Sequence, residues 1–117
     1  MKKTQQIQIY VGLNDSETHE QKFDTEKYIS ILKNVCKSYG VAFSLNTLSG
    51  GYIHDDGTYV EENTLVITLL GAEGETVEEI ATDLCVFFNQ ESVMVTSTPS
   101  EVFFVNDKVK DLKDRHE

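Results

Sequence analysis

Residues 6 to 13 read QIQIYVGL, an alternation that puts Ile7, Ile9 and Val11 on one side and Gln8 and Tyr10 on the other. Side chains at period two mark a half-buried strand. Further along the period lengthens: Tyr28, Ile31, Leu32, Val35 and Tyr39 recur at three- and four-residue spacing. The succession of these two periods constrains the fold more than any other feature, because each period fixes which face a segment can bury.

Between the two segments, NDSETHEQKF is polar and turn-rich. Asp24 or Thr25 is expected to cap a first helix over 25 to 39, with Glu26 in its first turn and Gly40 as its stop. VAFSLNTLSGGYIH (41 to 54) has strand character, with a bulge or bend expected at Gly50 and Gly51. TYVEENTLVITLL (58 to 70) is a second long strand, and the intervening DDG is a compact hairpin signal. Thr76-Val-Glu-Glu79 matches a capping box ahead of the stripe Val77, Ile80, Ala81, Leu84 and Phe88, which predicts a helix over 76 to 89. SVMVTST (92 to 98) is a strand; Pro99 is expected to interrupt it before EVFFV (101 to 105) resumes extended structure.

The order is β-α-β-β-α-β, the split arrangement of ferredoxin-like α+β folds, with two helices on one face of an antiparallel sheet. One domain is expected over 1 to 106, followed by a polar, flexible tail over 107 to 117. The other sheet face must meet water, a ligand or a second subunit. Apolar residues in LVITLL and VFFV favour a homodimer through that face.

Charge narrows the partners. The formal net charge is −10, and no Lys or Arg occurs from Ser38 through Asp107, a span that carries twelve Asp and Glu. Phosphate binding relies on basic side chains or a helix N-terminus, so direct nucleic-acid binding is disfavoured and a basic protein surface becomes the expected partner. No apolar run approaches the ~20 residues of a membrane span. The opening MKKTQQIQIYVG alternates where a secretory signal would be continuously apolar, which points to the cytoplasm. Cys36 and Cys85 have no CxxC partner and read as small hydrophobes within the helices, although a bridge between the helices is conceivable.

The candidate chemistry centres on GGYIHDDGTYVEEN. His54, Asp55 and Asp56 adjoin a turn, and Glu61 and Glu62 follow on the returning strand. Neighbours on a strand point to opposite faces, so these residues make a poor chelate, and no metal or cofactor is expected. His19, His54 and the tyrosines offer proton-transfer groups, but there is no GxSxG elbow and no phosphate loop; no catalytic residue is assigned. GAEGET precedes a helix, where Glu73 and Glu75 would repel an anion. Acids crowd that helix start, which the dipole explains only in part.

Three stretches, IYVGLND (9 to 15), GGYIHDDGTYVEENTLVI and FNQESVMV (88 to 95), carry a resemblance to a group of small ferredoxin-like proteins of phages, prophages and mobile elements of low-GC Gram-positive bacteria. It implies a mobile-element protein acting on a host factor, and no site residues are carried over. The leading expectation is a non-enzymatic acidic module that binds a basic protein, such as an anti-CRISPR or anti-restriction inhibitor of a nucleic-acid-handling protein. Its expected acidic face is Asp55, Asp56, Glu61 and Glu62 on the hairpin, with Glu75, Glu78, Glu79 and Asp83 on the second helix. The alternatives are a dimeric enzyme or small-ligand binder with a pocket near His54, and a structural or assembly protein.

Overall fold

In a computed structural model that describes residues 1–106, the order is β1 (Lys2–Gly12), α1 (Thr25–Tyr39), β2 (Ser44–Ile53), β3 (Tyr59–Leu70), α2 (Gly74–Phe87) and β4 (Met94–Val102). The strands form one antiparallel sheet in the order β2-β3-β1-β4. This is the ferredoxin-like α+β fold. The expected tail over 107 to 117 lies outside the described residues.

Strand alternation and helix stripe meet in one core. Ile7, Ile9, Val11 and Leu13 line up beside Leu65, Ile67 and Leu69 on the inner face of the sheet. Tyr28, Leu32, Val35 and Cys36 of α1, and Val77, Ile80 and Leu84 of α2, close over them. Phe88 meets the Tyr28 ring edge-on at 5.0 Å. Every one of these residues is buried, and removal of such apolar area from water is the dominant favourable term in folding. Gly40 ends α1 in the left-handed conformation, its N–H returned to the last carbonyls of the helix.

Several local expectations need correction. The second helix starts two residues early: Glu73 is its N-cap, so Thr76 lies inside the first turn and no capping box forms. Asp24 does occupy the N-cap of α1, but its side chain makes no capping bond. β2 pairs with β3 in unbroken register, without a bulge at Gly50 or Gly51. Gly51 instead leaves room for the Tyr59 ring, which lies across it. Pro99 does not interrupt β4, which runs through it paired to Gln5; β4 is an edge strand, where a missing N–H is tolerated.

Two further features position the site. β1 ends opposite Thr64, whereas β2 and β3 stay paired out to Ile53 and Tyr59. Residues 49–53 and 59–63 therefore form a two-stranded arm beyond the body of the sheet. The open face is also more polar than LVITLL and VFFV suggested. Leu65, Ile67 and Leu69 point inward, and Phe103, Phe104 and Val105 lie past the end of β4. By strand alternation the open face carries Gln6, Gln8, Thr64, Thr68, Thr96 and Thr98, interspersed with Tyr10, Leu48, Val66, Leu70 and Met94.

Candidate functional site

Where the arm leaves the sheet, the loop after β1 folds back beside it. Leu13 N–H donates to the Asn63 carbonyl at 3.0 Å, and the Asn14 side-chain amide to the Glu61 carbonyl at 3.0 Å. The backbone N–H of Asn14 donates to Glu62 Oε2 at 2.9 Å. Glu62 faces the open side of the sheet, and its carboxylate lies across Gly12: a Cβ at residue 12 would sit 2.5 Å from it. A side chain at residue 12 would have to displace the carboxylate. Gly50 pairs with Glu62 from the other side and likewise adds no bulk.

The result is a half-buried carboxylate on a glycine floor, one oxygen held by a backbone donor. Two depressions with shared lining open onto it, of about 290 Å³ and 380 Å³, and a third of about 520 Å³ also includes it. The first two are both lined by Tyr52, Glu62, Gln90 and Ser92. The first adds His19, His54, Asp55 and Glu91; the second adds the apolar side chains Tyr10, Leu48 and Met94. Partial burial, followed by the charges of Glu62 and Glu91, pushes the Tyr52 phenol up. At neutral pH it is therefore a donor, not a base. A carboxylate acceptor, a phenol donor, an amide and an apolar trough together suit a small, partly apolar, polyhydroxylated ligand.

The loop beside the site hangs on Asp15, a buried carboxylate at the edge of the first depression. Asp15 Oδ1 accepts the backbone N–H groups of Glu17 (2.9 Å) and Thr18 (3.2 Å). Oδ2 accepts the Asn89 side-chain amide at 2.9 Å and pairs with Lys22 at 3.2 Å. The Asn89 bond first, then the Glu17 and Thr18 donors and Lys22, hold this carboxyl well below the usual carboxylate range. Gln90 Nε2 donates to the Asn14 carbonyl at 2.6 Å.

The eight expected acidic residues do not form one face. Asp55 and Asp56 are exposed in the turn, and Asp56 Oδ1 accepts the Thr58 N–H at 2.9 Å. Hydrogen bonding from the Thr58 hydroxyl, then from its backbone N–H, and neighbouring His54 lower the Asp56 pKa. Glu61 and Glu62 point to opposite faces of β3 by alternation. Glu75, Glu78 and Glu79 are exposed on α2, at the far end of β3 from the hairpin, while Asp83 Oδ2 accepts the Tyr39 hydroxyl at 2.6 Å. That bond and the Asp83 charge push Tyr39 up to about 12. His54 stacks edge-on against His19 at 4.9 Å and lies 3.6 Å from Asp56. No group of three or more His, Cys, Asp or Glu among the described residues could hold a metal ion. Both cysteines are free. No described helix is long and apolar enough to cross a membrane.

Asn14, Asp15, Asn89 and Gln90 were absent from the sequence-derived candidates. Their signal is weak but real: Asn-Asp directly after a strand, and Asn-Gln directly after a helix, are side chains that bond to backbone where regular structure stops.

No protein-family model and no curated protein sequence matches the chain. Among solved structures, it is similar to a phage SAM lyase in its apo state, with 21% identity, a TM-score of 0.63, and coverage of 89% of this chain and 94% of that one. The same phage SAM lyase in complex with S-methyl-5'-thioadenosine gives 21% identity and a TM-score of 0.62, over 88% and 93% of the two chains. A Bacillus cereus protein related to NIF3 shares the fold at 7% identity and a TM-score of 0.57, over 86% of this chain but 26% of that one. These likenesses establish the fold.

Proposed function

We propose that the cleft around Glu62 binds an adenosyl thioether or sulfonium, and that the chain is a SAM lyase-like enzyme of phage or mobile-element type. The observation that carries this reading is the Glu62 carboxylate itself, held by Asn14 N–H over Gly12 at the junction of two depressions. A carboxylate so held suits a ribose diol, the use to which acidic residues are put in dinucleotide sites. The apolar trough of Tyr10, Leu48 and Met94 suits the flat face of a base. The class of ligand is suggested by the phage SAM lyase that binds S-methyl-5'-thioadenosine, whose fold matches nearly end to end.

Charge agrees with that choice. S-adenosylmethionine carries a sulfonium cation and no phosphate, which fits a chain of net charge −10 without Lys or Arg from Ser38 through Asp107. The surrounding acids draw the cation in. They are not suited to the bond-breaking step, because the sulfonium charge fades as the C–S electrons return to sulfur. Glu62 therefore serves the ribose and leaves the sulfur unopposed. As the C–S electrons return to sulfur, an oxygen of the ligand's own amino-acid carboxylate bonds to the carbon that sulfur leaves, closing a lactone as the thioether departs. Tyr52, protonated, offers its O–H to orient that carboxylate. Incubation with S-adenosylmethionine should release S-methyl-5'-thioadenosine, detected by mass spectrometry, and Glu62→Gln should slow that release by about 10- to 100-fold at subsaturating substrate. Intact S-adenosylmethionine after prolonged incubation would refute the enzymatic part; failure to bind either compound would refute the whole.

A second reading rests on the exposed acids Glu75, Glu78 and Glu79 of α2, which have no basic neighbour on that helix. It makes this face a docking surface for a basic protein, as in an inhibitor of a nucleic-acid-handling factor. Partner binding would then weaken steeply with salt. A homodimer through the open sheet face is compatible with either reading and would place the Glu62 trough beside a second copy; sedimentation would test it.

A further inference from the structure

We propose that Asp15 is a positioning residue: by locking the loop after β1 to the C-terminal end of α2, it sets the Asn14 N–H that aims the Glu62 carboxylate. The inference deepens the nucleoside reading of the same site and rests on it for its ligand, though not for its geometry.

The chain of bonds is continuous. Asp15 Oδ1 ties the turn from Ser16 to Thr18 to itself through two backbone donors. Its Oδ2 reaches across to Asn89, just past α2, and Ser16 N–H donates to the Asn89 carbonyl at 2.9 Å. The next residue, Gln90, grips the Asn14 carbonyl. Asn14 is thus fixed at its carbonyl by Gln90, just past α2, and at its side chain by β3, which leaves its N–H one direction, toward Glu62 Oε2. Asn89 adopts a left-handed φ of 50°, a conformation non-glycine residues rarely take. Asp15 is buried at 5% exposure; it borders the polar depression but not the apolar trough. A buried carboxylate with bonds on both oxygens is costly to leave half-satisfied. The ligand-facing oxygen of Glu62 is therefore aimed by a bracket two residues removed from it. Strength of binding to the ribose diol depends on that aim, since small misplacements of a polar contact cost about an order of magnitude or more.

The test uses three variants of the full chain: Asp15→Asn, Asn89→Asp, and the two together. Asn89→Asp sets carboxylate against carboxylate, and Asp15→Asn replaces the charged acceptor with a neutral amide and removes the Lys22 ion pair. The exchanged pair restores one acceptor and one donor. The first readout needs no ligand: hydrogen exchange of the Asn14 backbone amide, followed by NMR at one pH, should be slow in the wild type and faster in Glu62→Ala, which removes its acceptor. Both single variants should speed that exchange by about fivefold or more, and the pair should slow it again. The second readout is the preference for S-methyl-5'-thioadenosine over its 2',3'-dideoxy analogue, which should collapse about tenfold in the single variants and return in the pair. If Asp15→Asn does not fold, Asn89→Asp and the pair still decide. An Asn14 amide that exchanges equally slowly in every Asp15 and Asn89 variant overturns the proposal. If the amide responds as expected but the wild type binds neither nucleoside, the ligand reading fails and the positioning role of Asp15 stands.

Discussion

The two ends of β3 are both acidic, yet they are built differently. At the hairpin end, Glu62 and Asp15 are tied to backbone donors, amides and a lysine, and depressions open beside them. At the other end Glu75, Glu78 and Glu79 stand exposed on the first turns of α2. A negative cluster at a helix start is stabilised by the helix dipole without further purpose. A carboxylate held over a glycine, with one oxygen occupied, has lost conformational freedom that only a defined contact repays. The difference teaches that acidity alone does not mark a site; its hydrogen-bond partners do.

The largest expected effect tests whether the contrast is one of core support. Ile80 is fully buried between α2 and the sheet, so Ile80→Ala should cost about 2–5 kcal/mol in denaturant unfolding. Both ends should lose order together; a loss confined to one would mean the core is not shared. Glu62→Gln should weaken S-methyl-5'-thioadenosine by about 10- to 100-fold at unchanged thermal midpoint, the scale of a lost charge-assisted hydrogen bond. Gly12→Ala should act on the same contact from below. The new methyl displaces the Glu62 carboxylate, the flexible end of a side chain, so binding should fall about tenfold with little change in stability.

The contrast also has a pH signature. Asp15 is held ionised in the folded chain, so its contribution to stability is present above the unfolded carboxylate value near ~4 and is lost as pH falls below it. The midpoints of wild type and Asp15→Asn should converge as pH drops through that range, whereas equal spacing at all pH values would contradict the assignment. Least of all should come from Glu75→Gln, Glu78→Gln and Glu79→Gln combined, which should leave nucleoside binding untouched. Loss of a salt-sensitive protein partner in that triple variant would instead favour the second reading.

The fold was legible because burial follows period. The strand at Ile7, Ile9 and Val11, the helix over 25 to 39 and the order of elements all follow from side chains that had to reach one core. What escaped was governed by single contacts across distance. Gly50 and Gly51 resembled a bulge because sequence shows a missing side chain but not the Tyr59 ring that uses the space. Pro99 resembled a break because edge position is a property of the sheet, not of the strand. Glu61 and Glu62 were joined by adjacency although alternation separates them. His54 drew attention by its chemistry, while Asn14 and Asp15 supply the donors and the bracket. Their partners lie 48 and 74 residues away in sequence, beyond what local pattern reveals.

The most direct measurement is a calorimetric titration of S-methyl-5'-thioadenosine into the wild-type chain and into Glu62→Gln. Saturable binding to the wild type that is largely lost in the variant, with both proteins equally folded, is the expected result. Equal binding to the two, or none to either, would contradict a nucleoside site built on Glu62.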